Sequence, residues 1–185
     1  MAMELLESRR LLSFVPFGHT TVVPVGTLEQ FENLNFDLAV AGNGGFIVAT
    51  SIESGNAANK TEQTQIHAVR YTPAGVQAGE PLLIAAIANG SSSVSASADA
   101  DGDAVVAYVD RSTPSASIDS VFFRRISKDG AVSAPVKVAT AATADEGIGS
   151  QQVSMDPSGG FYLAWFTTSM SDGDFGQTLH VRASK

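Results

Sequence analysis

The chain has 185 residues, a formal net charge of -8, 44% apolar and only 16% charged residues, and no cysteine. The surplus of acid repels phosphate backbones and argues against nucleic acid as a partner. The lack of cysteine excludes disulfides, thiolate metal sites and cysteine nucleophiles, and no apolar run reaches the roughly 18–20 residues that a membrane-spanning helix needs.

In chain order, residues 1–18 come first, and by periodicity they read as a short helix with a charged face and a leucine face. They stand apart from the main domain, expected over 19–185. Thr20-Thr-Val-Val-Pro-Val25 is a lone strand. Ala39–Thr50 holds the turn Gly42-Asn-Gly-Gly45 between two apolar stretches, the pattern of a hairpin. A polar stretch over 51–65 reads as a long loop. Ile66–Tyr71 is a third strand, and after a turn at Gly75 a fourth strand begins at Pro81-Leu-Leu-Ile-Ala-Ala86.

The same order then returns. Ser95–Tyr108 is a hairpin around Asp99-Ala-Asp-Gly-Asp103, 110–120 is a polar loop, Val121–Ile126 is a strand, and Pro135-Val-Lys-Val-Ala139 follows the turn at Gly130. Val153–Trp165 opens a third copy, with a loop expected over 167–177 and a last strand at Leu179–Lys185. Ala49, Ala107 and Ala164 stand 58 and 57 residues apart, and Arg70, Arg125 and Arg182 stand 55 and 57 apart. Two markers with one period define three repeats, at about 36–91, 92–149 and 150–185. The third repeat lacks a fourth strand, and the spare strand at 20–25 is expected to complete it. Such closure would remove the raw sheet edges that invite aggregation.

The expected fold class is all-β. The repeats resemble bacterial β-propeller-like units, which read as a Gly-rich turn, an apolar strand ending in Ala-Trp, a polar loop and an aromatic-Arg strand. Gly160-Phe-Tyr-Leu-Ala-Trp165 carries this pattern; Tyr108 and Thr50 stand in the Trp place of the other copies. The resemblance implies four-stranded blades. Propellers typically have four to eight blades and this chain encodes three, so a homodimer forming a six-bladed ring is the favoured expectation, beside a fragment of a longer protein or an open three-bladed assembly. The start resembles a second family. Glu4-Leu-Leu-Glu-Ser-Arg-Arg-Leu-Leu-Ser13 is similar to the E-x-L-E-x-R-x-L-L-S (LEPR-XLL-like) motif that opens large exported proteins of Planctomycetes. That resemblance implies a secreted or cell-surface bacterial protein with the motif as an address or processing element.

Candidate chemistry is sparse. Asp99, Asp101 and Asp103 alternate, a spacing that can converge hard oxygens on Ca²⁺; the same slot in the other repeats is a plain turn. Asp172 and Asp174, in the third polar loop, form a second weak Ca²⁺ candidate. The isolated His67 and His180 fall on equivalent strands, which favours packing over catalysis, and no zinc set is visible. The arginine of each repeat and the Tyr108/Trp165 position also read as structural. No nucleophile elbow, phosphate loop or dinucleotide fingerprint occurs. No cofactor is expected beyond calcium. The expected function is therefore non-enzymatic: a binding or structural module contacting protein or glycan through its long loops. The alternatives are a polysaccharide hydrolase or lyase using Asp172, Asp174, Asp110 and Glu53, and a purely structural unit amplified from one blade.

Overall fold

The computed structural model describes residues 31–55, 63–88, 90–112, 118–143, 145–171 and 174–184. Among them every regular element is a strand, as expected, and the strands form three antiparallel sheets. The three sheets are labelled blades 1 to 3 in chain order; blade 1 is the meander β1 (Phe31–Val40), β2 (Phe46–Ser54), β3 (Gln63–Tyr71) and β4 (Leu82–Ala88). Blade 2 begins with β5 (Gly90–Ser91) and β6 (Val94–Ala98), which lie end to end along one edge of β7 (Ala104–Ser112). It continues through β8 (Ser120–Ile126) to β9 (Val136–Thr140). Blade 3 is β10 (Glu146–Met155), β11 (Phe161–Ser171) and β12 (Asp174–Ser184). Among the described residues nothing pairs with the outer side of β12. The strand expected at Thr20–Val25 and the motif at Glu4–Ser13 lie outside the described residues.

Each blade starts with the same hairpin. Val40 pairs with Phe46, Ala98 with Ala104 and Met155 with Phe161, so five residues make each turn. One glycine per turn takes a positive φ: Gly44 at 84°, Gly102 at 98° and Gly159 at 90°. Other residues rarely enter that region, which explains the Gly-rich signature. Gly42 is needed for another reason, because a Cβ there would meet the Cα of Ala100 at 2.8 Å. The turns of blades 1 and 2 touch at that point, and the Gly42 N–H donates to the Asp99 carbonyl.

Two expectations are corrected. The stretch expected as a loop over 167–177 is mostly strand, and strands also reach into the stretches at 51–65 and 110–120: β2 runs to Ser54, β7 to Ser112 and β11 to Ser171. In blade 3 the ladder reaches the pair Ser171–Asp174, so strand replaces most of the expected loop. Ser, Thr and Gln at the outer end of a ladder satisfy their backbone by pairing while their side chains stay polar. The arginine marker is also displaced. Arg70 pairs with Ile47 and Arg125 with Val105, at equivalent places, but Arg182 pairs with Leu163. Leu163 is the counterpart of Val106, so Arg182 is one residue out of register and on the opposite face.

The blades stack in chain order. Ala39, Ile47, Ala49, Ile66 and Ala68 of blade 1 pack against Val94, Ala96, Val106 and Ile126 of blade 2. The other face of blade 2, with Val105, Ala107, Val109 and Val121, packs against Val153, Phe161, Leu163 and Trp165 of blade 3. The first strands β1, β6 and β10 adjoin one another in turn, whereas the fourth strands β4 and β9 do not form a comparable contact. Among the described residues no helix is long and apolar enough to cross a membrane.

Candidate functional site

The hairpin turns gather the acidic residues singled out above. Asp99 is almost fully buried, and its Oδ1 accepts the N–H groups of Asp101 and Gly102 at 2.9 Å each and of Asp103 at 3.0 Å. Three donors on one oxygen make Asp99 the cap of its own turn, as short polar side chains commonly are. Asp103 Oδ1 accepts the Lys128 N–H at 2.7 Å. Asp101 stands exposed at the tip, where its carbonyl accepts Asn43 Nδ2 at 3.2 Å. In blade 3, Asp156 Oδ1 takes the N–H and the hydroxyl of Ser158, bonds that hold its carboxyl below the ordinary range. With Arg125, these aspartates line an open hollow at the rim. Among the described residues no three histidine, aspartate or glutamate side chains are grouped to hold a metal ion. Asp174 begins β12, and Asp172 lies outside the described residues. Glu53 and Asp110 stand on second strands, at the end away from the glycine turns.

The arginines tie neighbouring blades together. Arg70 donates to the carbonyl of Lys128 in blade 2. Arg125 donates to the Gly159 carbonyl at 3.0 Å and lies 4.9 Å above the Phe161 ring. Arg111 bonds the Ile148 carbonyl at 2.9 Å and faces Asp119 at 3.8 Å; burial lowers its pKa, opposed by the Asp119 and Glu53 carboxylates. All three serve the blade interfaces.

A cross-strand position marks the middle of each blade: Thr50 faces His67, Tyr108 faces Phe122, and Trp165 faces His180. The last two pairs stack, with ring centroids 5.5 and 5.3 Å apart. His67 and His180 are therefore equivalent, as expected, and blade 2 has phenylalanine between them. Burial lowers the His67 pKa from 6.5. A depressed folded pKa means that the neutral ring stabilises the fold above pH 6.5, and that this contribution is lost as pH falls through the folded value. His67→Phe, the residue of blade 2, is expected to flatten the fall of melting temperature on acidification below that point. Equal slopes for variant and parent in a pH series of thermal melts would refute it.

A polar chain that the sequence does not advertise crosses both blade interfaces. The Val153 N–H donates to Ser95 Oγ at 3.2 Å, Ser95 Oγ donates to Asp37 Oδ2 at 3.1 Å, and the Ala96 N–H donates to the same carboxylate oxygen at 2.9 Å. Asp37 and Ser95 hold equivalent places, each accepting an N–H of the next blade. Gln151 is nearly enclosed; its Nε2 donates to the Ser93 carbonyl at 2.8 Å and its Oε1 accepts the Ser93 hydroxyl at 2.6 Å.

The outermost faces are the remaining candidates. On β1, Leu34, Phe36, Leu38 and Val40 are all exposed, Phe36 at 70%. At the other end Tyr162, Phe166, Leu179 and Val181 are exposed, Val181 at 62%. Both ends of the stack thus present apolar sheet. Comparisons with family models, with curated proteins and with solved structures find no match.

Proposed function

We propose that the chain is a non-enzymatic assembly and binding module with propeller-like blades, acting at a bacterial cell surface as an oligomer. The observation that carries this is the pair of uncovered apolar sheet faces at the ends of three stacked blades. Contiguous exposed apolar surface on a folded protein marks an interaction site. The contact of first strands without matching contact of fourth strands supports a fan of blades about a common edge. The carboxylates of Asp99, Asp103 and Asp156 are turn caps or tethers, which supports a structural use of the acidic rim over a catalytic one. The surface setting is supported by the motif at Glu4–Ser13.

Binding of the full chain to arrays of bacterial surface glycans and envelope proteins is expected to be saturable and to yield no product. Polysaccharide turnover abolished by Glu53→Gln or Asp110→Asn would overturn the reading.

A further inference from the structure

The repeat register states what the two uncovered faces are shaped to meet. Phe36, Leu38 and Val40 hold the places of Val94, Ala96 and Ala98, which blade 2 turns toward blade 1. At the far end Tyr162, Phe166, Leu179 and Val181 hold the places of Val105, Val109, Val121 and Phe123, which blade 2 turns toward blade 3. One end is therefore the receiving side of a blade interface that the chain already makes twice. The other end is its presenting side.

The polar contacts continue the series. The N–H groups of Ala96 and Val153 are accepted across the interfaces by Asp37 and Ser95 of the preceding blade. The equivalent N–H in blade 1 is that of Leu38, which turns back to its own Asp37 Oδ1 at 2.8 Å. The equivalent of Asp37 and Ser95 in blade 3 is Gln152, exposed and with an amide oxygen able to accept. An acceptor position at one end thus answers a donor position at the other.

We propose that these faces are the two halves of one interface: blade 3 of one copy seats on blade 1 of a second copy, and two copies close a six-bladed ring. This rests on the reading of the chain as an assembly module and names its partner. A head-to-tail interface closes only if its rotation does. Rings of whole copies hold three, six or nine blades, and propellers typically hold four to eight, so the closed form has two chains.

The test uses the full chain, which has no cysteine of its own. Leu38→Cys and Gln152→Cys variants are co-expressed, mildly oxidised and run on a non-reducing gel. The expected result is a crosslinked pair from the mixture and none from either variant alone. Light scattering of the parent is expected to give twice the 19.2 kDa chain mass, falling to one chain for Phe36→Asp with an unchanged circular dichroism spectrum. Crosslinking of Leu38→Cys to itself would show blade 1 on blade 1 and overturn the proposal, as would a trimer, a filament, or a monomer that crosslinks in no combination. The monomer result removes the second copy as occupant, and with it the oligomer, but leaves the non-enzymatic binding reading standing, because that part falls by turnover.

Discussion

Trp165→Ala is expected to lower stability by about 3–5 kcal/mol, the cost of deleting a large aromatic from a packed core. At this chain length that is a drop of roughly 10 °C in melting temperature. Trp165 is 8% exposed, belongs to the cluster between blades 2 and 3, and stacks on His180. Trp165→Phe, which keeps a ring on His180, should cost clearly less. The chain has a single tryptophan, so its fluorescence reports on this one interface in the parent protein. An Ala variant that melts with the parent would mean that blade 3 does not pack on blade 2 in solution.

The second large effect is expected at Asp37. Asp37→Ala leaves the fully buried Ser95 hydroxyl and the Ala96 N–H without their acceptor. Unsatisfied buried donors cost about 1–3 kcal/mol, more when the lost partner was charged. Asp37→Asn retains one carbonyl oxygen and should recover part of the loss. Because Ser95 links Asp37 to Val153, a double-mutant cycle with Ser95→Ala should show a coupling of about 0.5–3 kcal/mol. Additive effects in urea unfolding would show that the chain of bonds is not formed.

Much of the architecture is readable from Gly42–Gly45, Asp99–Asp103 and Asp156–Gly160, because tight turns demand residues with special backbone freedom, and from Ala49 and Ala107, which pack on the next blade, with Ala164 at the same register in blade 3. Arg182 misleads because the span between strand partners differs among blades: Thr50 to His67 is longer than Tyr108 to Phe122 or Trp165 to His180. A shared period then fixes the repeat without fixing the face. The outer halves of β2, β7 and β11 are hidden because Ser and Thr on a ladder carry no apolar alternation. Asp37 gives no signal at all, since one carboxylate in an apolar strand has meaning only once Ser95, far along the chain, lies beside it. The apolar end faces are legible as strands. That they are uncovered becomes visible only when the blades are stacked.

Among the described residues of a single copy, blade 2 alone has a neighbour on each side, and it holds Val105, Val106, Ala107, Val109 and Val121 at zero exposure. Repeats that touch only their neighbours share stability along a line. In a single copy the amide protons of β7 and β8 should therefore exchange last, at the free energy of global opening, while blades 1 and 3 fray from the outside inward.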